Sequence, residues 1–344
     1  MIELPTGVVY DPIFLKHNQP GHPENANRLK SIIDGLTDKN LLEKTIHVES
    51  RYADIDEFSL CHSKEYITYV EEFCRKGGGY LDPDTYANKD SYSAAAMAVG
   101  SSIDLVKSVI NEELKNGFAL LRPPGHHALA NRSMGFCLFG NIAIAAKVSL
   151  TQPGIEKVAI VDFDVHHGNG TQALVSDDPN ILFISTHQYP YYPGTGSIRE
   201  IGNGESEGTI MNIPLPAGAG DEGFKLVYEK IIIPVLERFN PDLILVSAGY
   251  DAHWDDPLAN LNLSLTGYDC ISRELIKCSE RICNSKIVFF LEGGYNLQVL
   301  SYGVTNSIRG LLGIDFCEDS LGQSFQQEPD INKVIDELIK IHSL

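Results

Sequence analysis

The chain has 344 residues, 43% hydrophobic and 21% charged, ordinary globular proportions that exclude wholesale disorder and suit one large α/β domain. Its net charge of -19 and lack of any Lys/Arg cluster argue against an electrostatic grip on nucleic acid or anionic lipid, and fit either attraction of cationic substrates or simple solubility. Seven cysteines without a CxxC pair read as reduced thiols. No signal peptide is visible, and no run reaches the roughly 18 apolar residues of a membrane span, so a soluble, cytoplasmic protein is expected.

Thr6 to Tyr10 reads as a first strand, followed by a turn-rich loop, His17 to Asn25, in which His22 and Glu24 are either functional or part of a capped rim. Helices are predicted at 26–35, from the apolar spacing of Leu29, Ile32 and Ile33, and at 63–75, begun by Ser63 with Glu65 in the first turn. Gly77-Gly78-Gly79 predicts a flexible break, with a turn-rich loop at 81–85. An alanine-rich helix at 91–110 reads as buried between neighbours.

A strand at 118–121 runs into Arg-Pro-Pro-Gly-His-His at 122–127, where the prolines and glycine hold two adjacent histidines on a constrained loop. After a helix ending near Lys147, the stretch Val158 to Gly170 organises the chain. It starts as a β-branched run, the pattern of a buried parallel strand, and then breaks into two aspartates, two histidines and two glycines. Later strands are predicted at 181–185, 243–247 and 287–291. Helices are predicted at 222–239, 266–283, 298–312 and 331–341. Strands alternating with helices of this length imply one domain, 1–344, built on a doubly wound, mostly parallel sheet, with a C-terminal helical tail over 314–344.

Four strands end in ionisable residues: His126 and His127; Asp162, Asp164, His166 and His167; Asp251; and Tyr295. In a parallel sheet such ends share one edge and converge. Asp164, His166 and Asp251 make three ligands for a catalytic metal with open positions, and oxygen and nitrogen donors without thiolate suit Zn²⁺, Fe²⁺ or Co²⁺. His126 and His127 are candidate bases, with Asp162 and Asn169 as partners that fix their tautomers. Tyr295, after two glycines, can donate to an oxyanion. Metal, base and oxyanion donor together describe hydrolysis of an amide.

The motifs RPPGHHA, GFCLFGN, VDFDVHHGNGTQ, PGTG, SAGYDAHWDDPLA and LEGGYNL resemble those of the histone deacetylase and acetylpolyamine amidohydrolase family, in its class II-like or bacterial deacetylase-like branch, from about Gly7 to Gly313. The resemblance implies the arginase-deacetylase fold, zinc at Asp164, His166 and Asp251, and attack of activated water on the amide carbonyl of acetyl-lysine. It implies His127 as general base, His126 paired with Asp162 as a charged partner, Asn169 beside His127, and Tyr295 polarising the carbonyl. Gly135, Phe136, Tyr192 and Leu258 would line the tunnel for the substrate stem, and Arg28 and Cys137 an acetate pocket. A structural K⁺ is implied near Asp162, Asp164, His166, Ser185 and Thr186.

Asn169 replaces the aspartate of class I relatives, which removes an anionic partner from His127. Leu258 stands where polyamine-selective relatives place glutamate, which favours acetyl-lysine peptides or proteins over acetylated amines. Asp82 or Asp84 is a candidate rim aspartate. Asp251-Ala-His253 admits an arginase-like dinuclear reading, which lacks a second complete ligand set, and His253 is expected on the rim. The alternative classes are an acetylpolyamine or other small-amide deacetylase and a non-catalytic acyl-lysine binder; no nucleic-acid or membrane partner is expected.

Overall fold

Eight strands form one sheet in the computed structural model, which describes residues 4–344. In chain order the strands are β1 (Thr6–Val9), β2 (Ile46–His47), β3 (Gly78–Tyr80), β4 (Tyr86–Asn88), β5 (Asn116–Ala119), β6 (Val158–Asp162), β7 (Ile181–Gln188), β8 (Ile210–Leu215), β9 (Leu243–Ala248) and β10 (Ile287–Leu291). The sheet order is β2-β1-β5-β10-β9-β6-β7-β8, and every pairing in it is parallel. The four strands that carry the candidate site, β5, β10, β9 and β6, are therefore neighbours at the centre. The chain leaves β5 for β6, two places beyond its neighbour, and fills the gap later with β9 and β10. That reversal opens the crevice at the carboxyl edge in which open α/β sheets bind ligands.

The central strands are apolar on both faces, as a sheet covered on both sides requires: Val158, Ala159, Ile160 and Val161 are all fully buried. Helices Ser91–Ile110 and Asn141–Ser149 pack on one another and on the sheet, while Ala26–Asp38, Leu297–Leu311 and Leu265–Ile282 pack in succession. Ser91–Ile110 has a window of mean hydropathy 1.3, long and apolar enough to cross a membrane, which counting consecutive apolar residues did not register; 78% of that window is buried inside the fold. All seven cysteines are free thiols.

Several elements depart from the sequence reading. The glycine run is an ordered hairpin, β3 pairing antiparallel with β4, and a Cβ on Gly78 would strike the Ala87 backbone. β8 was hidden by Pro214, which lacks a ladder N–H and is tolerated because β8 is the last strand of the sheet. The helix expected at 222–239 contains a π-helical turn, Tyr228–Ile232, just before Pro234, where the wider turn accommodates a residue that cannot bond to the preceding turn. The tail is helical only at Asn332–His342; residues 315–331 form an irregular strap.

His62 joins the helical layer to the loop after β5. Its Nδ1 faces the Leu129 carbonyl at 3.0 Å and its Nε2 accepts from the Gly140 N–H at 2.9 Å, a pattern that only the neutral ring satisfies. Burial lowers its pKa to about 4. A protonated His62 is thus favoured in the unfolded chain below pH ~6.5, so its contribution to stability is complete above that value and is lost as the pH falls towards 4, by about 3 kcal/mol. Urea unfolding of His62→Gln is expected to show a shallower loss of stability between pH 6.5 and 4.5 than the parent; identical slopes would contradict this assignment.

Candidate active site

Beyond β6 the chain stays extended. Phe163 and Val165 turn into the core, while Asp164 and His166 turn the other way, as a period of two demands. Asp164 accepts from the His166 N–H at 2.9 Å and from the Gly293 N–H at 2.8 Å. Asp251, past the end of β9, accepts from the Val165 N–H at 3.0 Å through Oδ1, whereas its buried Oδ2 has no hydrogen-bond partner. His166 Nδ1 lies 3.2 Å from Asp164 and 3.4 Å from Asp251 Oδ2.

One donor atom from each of these three residues falls within 4.8 Å of the others. Among the described residues these are the His, Cys, Asp and Glu donors gathered in this way, and His253, which the dinuclear reading invoked, is not one of them. Burial disfavours the His166 cation, but the two carboxylates overcome it and raise its pKa to about 10. The site thus asks for positive charge, and a divalent cation fits where that proton sits. The orphaned Asp251 oxygen is a ready ligand.

The histidine pair is held from below by Glu292, which follows β10. Its Oε2 accepts from the Gly125 N–H at 2.8 Å and the His126 N–H at 3.2 Å, and its Oε1 from the Ser247 hydroxyl at 3.3 Å. His126 Nδ1 is 3.1 Å from Asp162. Burial opposes its charge, but Asp164, Asp162 and Glu292 raise its pKa to about 10. His127 goes the other way: burial, then the His126 and His166 charges, push it well below the ordinary range. Its Nδ1–H donates to Asn169 Oδ1 at 2.7 Å, which leaves the Nε2 lone pair free. The two rings, 4.0 Å apart, are set to opposite protonation states.

Tyr295 lies over the Arg28 guanidinium, 5.1 Å from its ring centre. Arg28 is fully buried and donates to the Gly294 and Glu292 carbonyls and to Glu24. Glu24 also binds Arg122 through both oxygens. Glu24 is therefore the buried anion between two guanidiniums and lies inside the fold, not on a capped rim. Arg122, Glu292 and Asp256 received no role from the sequence, although each lies in or beside a motif. Asp256 accepts from the Tyr295 N–H at 2.7 Å.

Above the triad a cavity of about 230 Å³ is lined by Asp84, His127, Gly135, Phe136, His166, Tyr191, Tyr192, Leu258 and Tyr295. Tyr192 stands edge-on to His127 at 5.3 Å, and Phe136 edge-on to Tyr295 at 5.8 Å. Gly135 and Phe136 both have positive φ, and a Cβ on Gly135 would overlap the His127 ring, so glycine is required there. Asp84 faces the cavity, while Asp82 accepts the Asp84 and Thr85 N–H groups as a turn residue. Tyr191, not anticipated, stacks on His166 at 5.8 Å.

Cys137, Arg28 and Asp162 are buried around the site rather than in the cavity wall. Asp162 pairs with Ser185 across β6 and β7, and the Thr186 hydroxyl donates to the Asp162 carbonyl at 3.3 Å. His253 is not on the rim: it is fully buried, with Nδ1 accepting from the Asp255 N–H at 3.0 Å. A segment that turns back to pair with Leu263 carries it inward.

A histone deacetylase domain model matches residues 22–311. The chain is 42% identical over 328 residues to histone deacetylase 14, chloroplastic, of Arabidopsis thaliana, covering 90% of this chain and 77% of that protein. It is 41% identical over 314 residues to a probable deacetylase of Archaeoglobus fulgidus, covering 90% and 87%. The crystal structure of the HDA15 HD domain matches with a TM-score of 0.90 at 34% identity, covering 98% of this chain and 94% of that one.

Removing the anion between two buried guanidiniums should be severe. Glu24→Ala is expected to lower unfolding stability by about 3–5 kcal/mol, the usual effect of stripping one partner from a buried ion pair. Chemical denaturation measures it, and a loss below about 1 kcal/mol would contradict the role given to Glu24.

Proposed function

The chain belongs to the histone deacetylase family, and from that premise we propose that it is a zinc-dependent hydrolase that removes acetyl groups from the side-chain amine of acetyl-lysine in peptides or proteins. The observation that carries this reading is the Asp164–His166–Asp251 triad, with its unpartnered Asp251 oxygen, at the floor of a cavity walled by aromatic rings. Zinc held there would polarise the acetyl carbonyl and acidify a water.

The chain's own groups supply the rest. The aromatic walls and Leu258 accept an apolar butylene stem and bring the amide to the floor. His127 Nε2 is neutral and free, so it takes the proton from the attacking water and later returns it to the departing amine. His126, held cationic between Asp162 and Asp164, offsets negative charge as the carbonyl carbon becomes tetrahedral. The Tyr295 phenol, which burial and the nearby carboxylates keep protonated against the pull of Arg28, donates to the developing oxyanion. Asp84 at the mouth is suited to accept backbone N–H groups of a bound peptide. A structural K⁺ at the carbonyls of Asp162, Asp164, His166, Ser185 and Thr186 belongs to the same reading.

Acetylated polyamine is the second reading, favoured by the acidity of the chain and by Asp84 at the mouth. Zinc-loaded protein assayed side by side is expected to hydrolyse an acetyl-lysine peptide at least about tenfold better, in kcat/KM, than acetylated spermidine, as Leu258 implies; the reverse order would transfer the assignment to polyamines. Tyr295→Phe is expected to lose about 100-fold to 1000-fold in kcat while still binding zinc, the range for deleting one oxyanion donor. Full activity in that variant would refute the tyrosine's role.

A further inference from the structure

Asp256 is an expensive residue to bury. It is 7% exposed, and among the described residues no Lys, Arg or His lies within ion-pair distance of it. Its carboxylate is satisfied by main-chain amides alone: Oδ2 accepts from Tyr295 N at 2.7 Å and Asn296 N at 3.2 Å, and Oδ1 from Leu258 N at 3.0 Å. Its own N–H donates to the His253 carbonyl at 3.0 Å, which ties it to the segment that starts at Asp251.

The loop it grips needs gripping. Gly293 must be glycine because a Cβ there would collide with the Asp164 and Asp251 carboxylates. At Gly294, with φ +117°, a Cβ would come within 3.1 Å of Tyr250. Two glycines let the chain pass close behind the triad, but they leave the tyrosine on a backbone with little torsional restraint of its own. Arg28 holds the loop by its carbonyls, at Glu292 and Gly294. Asp256 holds the following amides, and the same carboxylate holds Leu258, which lines the cavity.

We infer that Asp256 is the positioning residue that fixes Tyr295 and Leu258 relative to each other across the substrate tunnel. The inference rests on the deacetylase reading of Tyr295. A main-chain clamp of this kind acts through where the phenol stands, since a displacement of about 1 Å at a reacting centre can lower a rate on the order of 100-fold.

The test is a double-mutant cycle on zinc-loaded protein with an acetyl-lysine peptide. Asp256→Asn, which keeps the shape and removes one acceptor, is expected to lower kcat roughly 10-fold to 100-fold with zinc affinity unchanged. In a Tyr295→Phe background the same change should lower kcat by no more than about threefold, because the phenol it positions is already gone and the loss through Leu258 falls on KM. Asp256→Ala should lie on the same line with a larger single-mutant loss. Equal losses in both backgrounds would make Asp256 a general structural residue and overturn the inference, as would failure of both variants to fold. An inactive Tyr295→Phe with additive Asp256→Asn overturns this inference alone; a fully active Tyr295→Phe overturns the role of the tyrosine and this inference with it.

Discussion

Two carboxylates and one imidazole are buried within a few ångströms of each other at the carboxyl edge of the sheet, and the surrounding structure is arranged to make that tolerable. Asp164 receives two backbone N–H groups and Asp251 one, yet one Asp251 oxygen keeps no partner. The positive charges in contact with these carboxylates are protons on His166 and His126. An isolated buried carboxylate is severely penalised, so this pair of aspartates favours a cation between them, a proton on His166 or the metal ion proposed above. The carboxylates overcome burial to hold His126 cationic, while burial and the His126 and His166 charges keep His127 neutral. Chemistry and electrostatics at this edge are thus one constraint.

Rigidity comes from a second set of carboxylates that touch no metal position. Glu292 fixes the amides of the histidine loop, Glu24 ties the Arg28 guanidinium that holds the Gly-Gly-Tyr turn to that of Arg122, and Asp256 holds that turn from its amide side. Each joins segments that are distant in sequence, so the site is held as a unit by hydrogen bonds to buried carboxyl groups. Close approach then demands glycine at Gly135 and Gly293, where any side chain would collide with the His127 ring or the Asp164 and Asp251 carboxylates.

Much of this was legible in the sequence because its signals are local. An apolar β-branched run that breaks into Asp-Phe-Asp-Val-His announces both a buried strand and a ligand pair, and four such endings converge if the sheet is parallel. The supporting residues were less legible. Glu24 meets Arg122 across 98 positions, and Asp256 meets Tyr295 across 39, with nothing in either segment naming its partner. His253 was misplaced because a histidine two residues past a ligand looks like a rim group until the backbone is seen to turn inward. β8 was missed because Pro214 reads as a break in any segment not known to be an edge. The resemblance to a known family supplied the tunnel and acetate-pocket residues; spacing alone did not reach them.

The central claim is that the triad is a metal centre, and X-ray diffraction at the zinc absorption edge tests it most directly. Crystals grown with one equivalent of zinc should show a single strong anomalous peak bounded by Asp164, His166 Nδ1 and Asp251 Oδ2, with tetrahedral ligand distances of about 2.0–2.2 Å. A peak elsewhere, or none at this position in protein that has retained zinc, would contradict the account.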